Sequence, residues 1–113
     1  MTAEWVQVLT TTDRRELAET IARQLVEKRL AACVQIVGPI LSIYRWQGAI
    51  EQAEEWQCLI KTQARLVDEV DREIRRLHTY QVPEIVVTPI VAGSRDYLEW
   101  IVQETSPPER AAD

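Results

Sequence analysis

The chain has 113 residues, 46% of them hydrophobic and 27% charged, a balance that suits one folded domain and excludes a disordered chain. Its 18 acidic and 13 basic side chains give a formal net charge of −5. Arg72, Arg75 and Arg76 alternate with Asp68, Glu69, Asp71 and Glu73, so no basic patch is set up for nucleic acid. No leader pattern opens the chain and no run approaches the ~20 apolar residues of a membrane span. Two cysteines, Cys33 and Cys58, are too few for a disulfide scaffold, so the expected setting is the cytoplasm with reduced thiols and no membrane partner.

Glu4 to Thr10 alternates and is β-branched, which predicts a first strand interrupted by Thr11, Thr12 and Asp13. Asp13 with Glu16 has the spacing of a capping box. Leu17, Ile21 and Leu25 then follow at helical intervals, predicting a helix from Asp13 to Lys28. Leu30 to Ile43 and Ile50 to Thr62 read as the arms of a hairpin turning at Gly48, with a bulge at Gly38-Pro39. Arms of a dozen or more residues, at ~3.3 Å each, reach about 40 Å and outrun a domain this small. An aromatic edge carrying Tyr44, Trp46 and Trp56 would be an aggregation hazard if left bare, so the hairpin is expected to pack on other subunits.

Leu66, Val70, Ile74 and Leu77 predict a second helix from Ala64 to Leu77, followed by the loop His78 to Pro83. Glu84 to Ile90 reads as a short strand whose Pro89 places it at a sheet edge. Ser94 is the expected N-cap of a last helix, and residues 107–113 the expected tail beyond a single domain spanning 1–106. The order βαββαβ plus a C-terminal helix predicts an α+β, ferredoxin-like split βαβ fold, an antiparallel sheet with helices on one face.

Leu30-Ala31-Ala32-Cys33, Tyr44-Arg45-Trp46-Gln47-Gly48, Ile60-Lys61-Thr62 and His78-Thr79-Tyr80-Gln81-Val82-Pro83-Glu84-Ile85, together with Tyr97-Leu98 and Trp100, resemble the signatures of the CutA family of divalent-cation tolerance proteins. The resemblance runs from about Val6 to Thr105. It implies a heat-resistant homotrimer with hairpins packed between neighbours, an architecture similar to the trimeric PII signalling proteins, and a part in tolerance of copper or other divalent metals. His78 and Glu84 coincide with the histidine and glutamate of the family's HPYxxPE-type motif. Thr79 stands where its proline is usual, and Thr10 where some metal-binding bacterial members carry cysteine.

His78, the only histidine, and Glu84, six positions on, are the candidate metal ligands, for copper(II) or another divalent ion. Two donors make a weak site, and both residues also have a structural reading: His78 as a cation at a helix C-terminus, Glu84 as an N–H acceptor. Tyr44, Trp46 and Trp56 read either as a stacking platform or as interface residues, and Lys61 with Arg45 as an anion site in an intersubunit cleft or as exposed ion pairs. Cys33 and Cys58 read as small buried hydrophobes. One histidine without a nearby nucleophile and three glycines without a phosphate loop argue against an enzyme and against an organic cofactor. The sequence therefore predicts a homotrimeric divalent-metal-binding protein, with a PII-like module that binds a small ligand or a partner protein as the alternative.

Overall fold

A four-stranded antiparallel sheet in the order β2-β3-β1-β4 carries the fold of the computed structural model, which describes residues 4–107. The elements are β1 (Trp5–Thr12), α1 (Arg15–Glu27), β2 (Cys33–Trp46), β3 (Ala49–Gln63), a 3-10 turn (Ala64–Leu66), α2 (Val67–Leu77), β4 (Ile85–Ile90) and α3 (Arg95–Glu104). The predicted tail lies, apart from Pro107, outside the described residues. β3 sits between β1 and β2, so each β-α-β unit is split by an inserted strand, the ferredoxin-like arrangement.

Alternation decides what each face of the sheet meets. Val6, Val8, Cys58 and Ile60 point to the side where α1 brings Leu17, Ala18, Ile21 and Leu25, and α2 brings Val70 and Ile74. These side chains form one core with the residues of each helix spaced three and four apart. α3 departs from the expected one-sided arrangement. Trp5 alternates onto the opposite face, and its Nε1 donates to Leu98 O at 3.0 Å; Gln63 on the same face donates to Thr105 Oγ1 at 2.8 Å. α3 therefore covers one end of the second face.

Two predicted boundaries move for local reasons. β1 continues through Thr11 and Thr12, because the long β3 offers Gln57 and Trp56 as partners and threonine suits a strand. The Asp13–Glu16 capping box does not form: Arg14 is the N-cap and makes no side-chain cap bond, and Thr12 Oγ1 instead donates to Arg14 O at 2.7 Å. At the far end of α1, Arg29 adopts a left-handed φ of 57°. Its guanidinium then reaches the carbonyls of Gln103, Glu104 and Ser106 at 3.3–3.4 Å, where a cation complements the end of α3. The expected Ser94 cap does form, accepting from Tyr97 N at 3.4 Å.

The hairpin is long, as its arms predicted. Trp46 pairs with Ala49 around Gln47 (φ 49°) and Gly48 (φ 83°), two positive angles that define the two-residue turn whose twist matches paired strands. Gly38 and Pro39 interrupt the ladder between Val37 and Ile40, the expected bulge, on an edge strand where proline costs no ladder bond. A radius of gyration of 15.5 Å, against ~13 Å for a compact chain of this length, and extents of 59 × 31 × 22 Å reflect this projection.

Candidate functional site

β1 stops at Thr12 while β3 and β2 run on, and the loop between α2 and β4 folds into the space beyond its end. Between hairpin and loop lies a cavity of about 640 Å³. The hairpin wall is Ser42, Ile43, Tyr44, Trp46 and Glu55; the register pairs Ile40 with Glu55 and Ser42 with Ala53, which puts Ser42, Tyr44, Trp46 and Glu55 on one face. The loop wall is Thr79 to Val82 and Glu84, with Thr11 at the floor.

Glu55 is the most constrained group there. It is 7% exposed, and its Oε2 accepts from the Tyr80 hydroxyl at 2.7 Å. Among the described residues it forms no ion pair with any lysine, arginine or histidine. Burial, and then the Glu55 carboxylate beside it, push the Tyr80 phenol well above the ordinary tyrosine range, so Tyr80 stays a donor.

The two candidate ligands occupy different positions. Glu84 is exposed at the cavity wall, in the loop just before β4 rather than within the strand. His78 is the C-cap of α2, half-buried, and both its ring nitrogens are engaged. Nε2 lies 2.7 Å from Thr11 O, which can only accept, so Nε2 carries the hydrogen; Nδ1 accepts from Tyr80 N at 3.1 Å. The ring also stacks at 4.7 Å and a tilt of 43° on Tyr80. His78 thus holds Tyr80 toward Glu55, and a metal reaches its lone pair only by displacing the Tyr80 N–H. No group of three or more His, Cys, Asp or Glu side chains able to hold a metal occurs among the described residues, so one chain supplies at most a partial donor set.

The remaining candidates separate. Tyr44 and Trp46 meet at the cavity, but Trp56 turns to the other face, where its ring lies against Gly38 and packs on the core. Lys61 bonds to the side chain of Gln35 and Arg45 pairs with Ile50 near the turn, so within one chain they stand at opposite ends of the hairpin. Cys58 is fully buried and donates to Ala18 O at 3.7 Å, and desolvation pushes its thiol up to about 11, as suits a packing residue. Cys33 is only half-buried, on the face that α3 partly covers. Thr10, where a thiol was of interest, is fully buried on the helix side with its hydroxyl unpaired, remote in character from a solvent-reached ligand.

Glu55 was invisible as a site residue because Glu54-Glu55 reads as a solvated pair on an exposed arm. The one available signal was Tyr80, an aromatic in a polar loop that needs an acceptor.

Fold and cavity together define an elongated ferredoxin-like α+β chain with a ligand-sized recess at the root of a projecting hairpin. The family described as CutA1 divalent ion tolerance protein matches residues 6–104, and the chain belongs to it. It is 47% identical over 98 residues to the divalent-cation tolerance protein CutA of Thermus thermophilus, covering 87% of this chain and 95% of that one. Protein CutA of Mus musculus is 43% identical over 95 residues, 84% of this chain and 54% of the mouse protein, so the chain spans about half of that relative. The crystal structure of CutA1 from Shewanella sp. SIB1 superposes with a TM-score of 0.91 at 37% identity, covering 96% of this chain and all of that one.

Proposed function

We propose that this chain is the subunit of a cytoplasmic homotrimer that binds divalent cations, copper(II) among them, and contributes to divalent-cation tolerance as a binding protein rather than an enzyme. The observation that carries the reading is the incomplete donor set of a single chain, Glu84 at an open wall and His78 behind it, in a member of a divalent ion tolerance family. A second copy is the natural source of further donors. Leu41, Ile43 and Ile50, 65%, 66% and 70% exposed on the hairpin, give such a copy an apolar surface to cover. Two free thiols accord with a reducing compartment.

Equilibrium dialysis against copper(II), run on fractions of measured molar mass, tests it. Saturable binding in stoichiometry with chains, carried by trimers and lost in Glu84→Gln, is expected. Monomers, or binding that never saturates, would overturn it. His78→Ala should weaken binding while leaving the trimer intact.

The cavity favours a second reading as well, a PII-like module that takes a small ligand. Its volume falls in the ~300–1,000 Å³ range of small-molecule sites and far exceeds the needs of a bare ion.

A further inference from the structure

We propose that the cavity is a receptor for a small organic cation, a quaternary or protonated amine carrying an apolar body. The inference rests on the small-ligand reading and shares Glu84 with the metal one.

Charge points to the sign of the ligand. Among the described residues the lining holds two carboxylates, Glu55 and Glu84, and no basic side chain. Glu55 is more than nine-tenths buried, and its one hydrogen bond among the described residues comes from a neutral phenol. A carboxylate withdrawn from water without a counter-ion is strongly disfavoured, and a cation entering the cavity supplies what the chain does not. The Tyr80 hydroxyl holds Oε2, and Oε1 has no hydrogen bond among the described residues.

The walls point to its chemical class. Tyr44, Trp46 and Tyr80 present aromatic rings whose negative faces attract alkylammonium groups, with tryptophan the strongest of the three. Aromatic rings are no ligands for a hard divalent ion, which needs oxygen donors in number. Val82 in the loop wall gives a hydrocarbon body a neutral contact. Trp46 and Tyr44 are both partly exposed, so the rings are reachable from solvent.

Benzyltrimethylammonium is the probe, followed by the proton NMR signal of its N-methyl groups, with benzyl alcohol as the neutral comparator. A saturable upfield shift of the methyl signal is expected from ring currents, with benzyl alcohol bound at least about tenfold more weakly. Glu55→Gln and Trp46→Ala should each weaken the cation about tenfold or more. Trp46 is exposed, so its variant folds even if Glu55→Gln does not. Equal binding of benzyl alcohol would keep the small-ligand reading and overturn the cationic preference. Absence of saturable binding by either probe would overturn both. An effect of neither substitution would remove the site from this cavity.

Discussion

Replacing Glu73 with glutamine tests how α1 and α2 are held together. Glu73 on α2 is 7% exposed; its carboxylate accepts from Arg76 Nε and Nη2 at 3.0 and 2.7 Å on its own helix, and from Lys28 Nζ at 2.9 Å just beyond α1. The Arg76 hydrogen bonds, and then Lys28, outweigh burial and hold the carboxyl down from 4.5 to about 2. At about 1.4 kcal/mol for each pH unit, that difference sets a ceiling of about 3 kcal/mol. Lys28 and Arg76 are about half exposed, so solvent screening reduces the expected contribution to about 1–2 kcal/mol. The folded state lowers this pKa, so the stabilisation is complete above the unfolded value of 4.5 and is lost as pH falls through about 2. Glu73→Gln should therefore unfold at lower urea concentration than the parent at pH 7, and the two curves should converge between pH 5 and pH 2. A gap that is unchanged at pH 2, or no gap at pH 7, would refute the role assigned to the charge.

Three further substitutions have definite expected outcomes. A Cβ at Gly38 would lie 2.3 Å from Trp56 Cδ1 and 2.7 Å from Cγ, well inside the ~3.5 Å of carbon contact, so Gly38→Ala should cost about 1–3 kcal/mol and change the near-ultraviolet dichroism of the indole. Thermal unfolding of Thr10→Val should show a gain of about 1 kcal/mol, because the fully buried Thr10 Oγ1 has no hydrogen-bond partner and valine keeps its shape; a loss of stability would contradict this. Arg29→Ala should cost about 1 kcal/mol and speed amide exchange at residues 102–106, where the guanidinium meets the last carbonyls of α3.

Local rules carried the element order because each element obeys its own period. Leu17, Ile21 and Leu25 repeat at helical spacing and are buried together, the Gln47-Gly48 turn has the left-handed angles its hairpin needs, and Pro89 does lie on an edge strand. Where prediction and structure part, a distant partner intervened. Thr11 and Thr12 belong to β1 because of Gln57 and Trp56, 46 and 44 positions away on β3, and α3 crosses to the second face because Trp5 and Gln63 offer it hydrogen bonds there. The site was less legible than the fold for the same reason. His78 and Glu84 are close in sequence, yet the histidine spends both nitrogens on Thr11 and Tyr80, and Glu55 is drawn into the recess by a tyrosine 25 residues on. Such convergence leaves no periodic trace along the chain.

The bulge at Gly38-Pro39 also inverts the phase of β2. Between Cys33 and Val37 the odd-numbered residues face the side of Lys61 and Gln57; from Ile40 to Trp46 the even-numbered ones face that same side. Carried outward unbroken, the inner phase would turn Leu41, Ile43 and Arg45 toward Glu55 and aim Tyr44 and Trp46 away from it. One strand thus presents two independently written faces, an inner one fitted to the core and an outer one fitted to the recess, and substitutions can accumulate in either without disturbing the other.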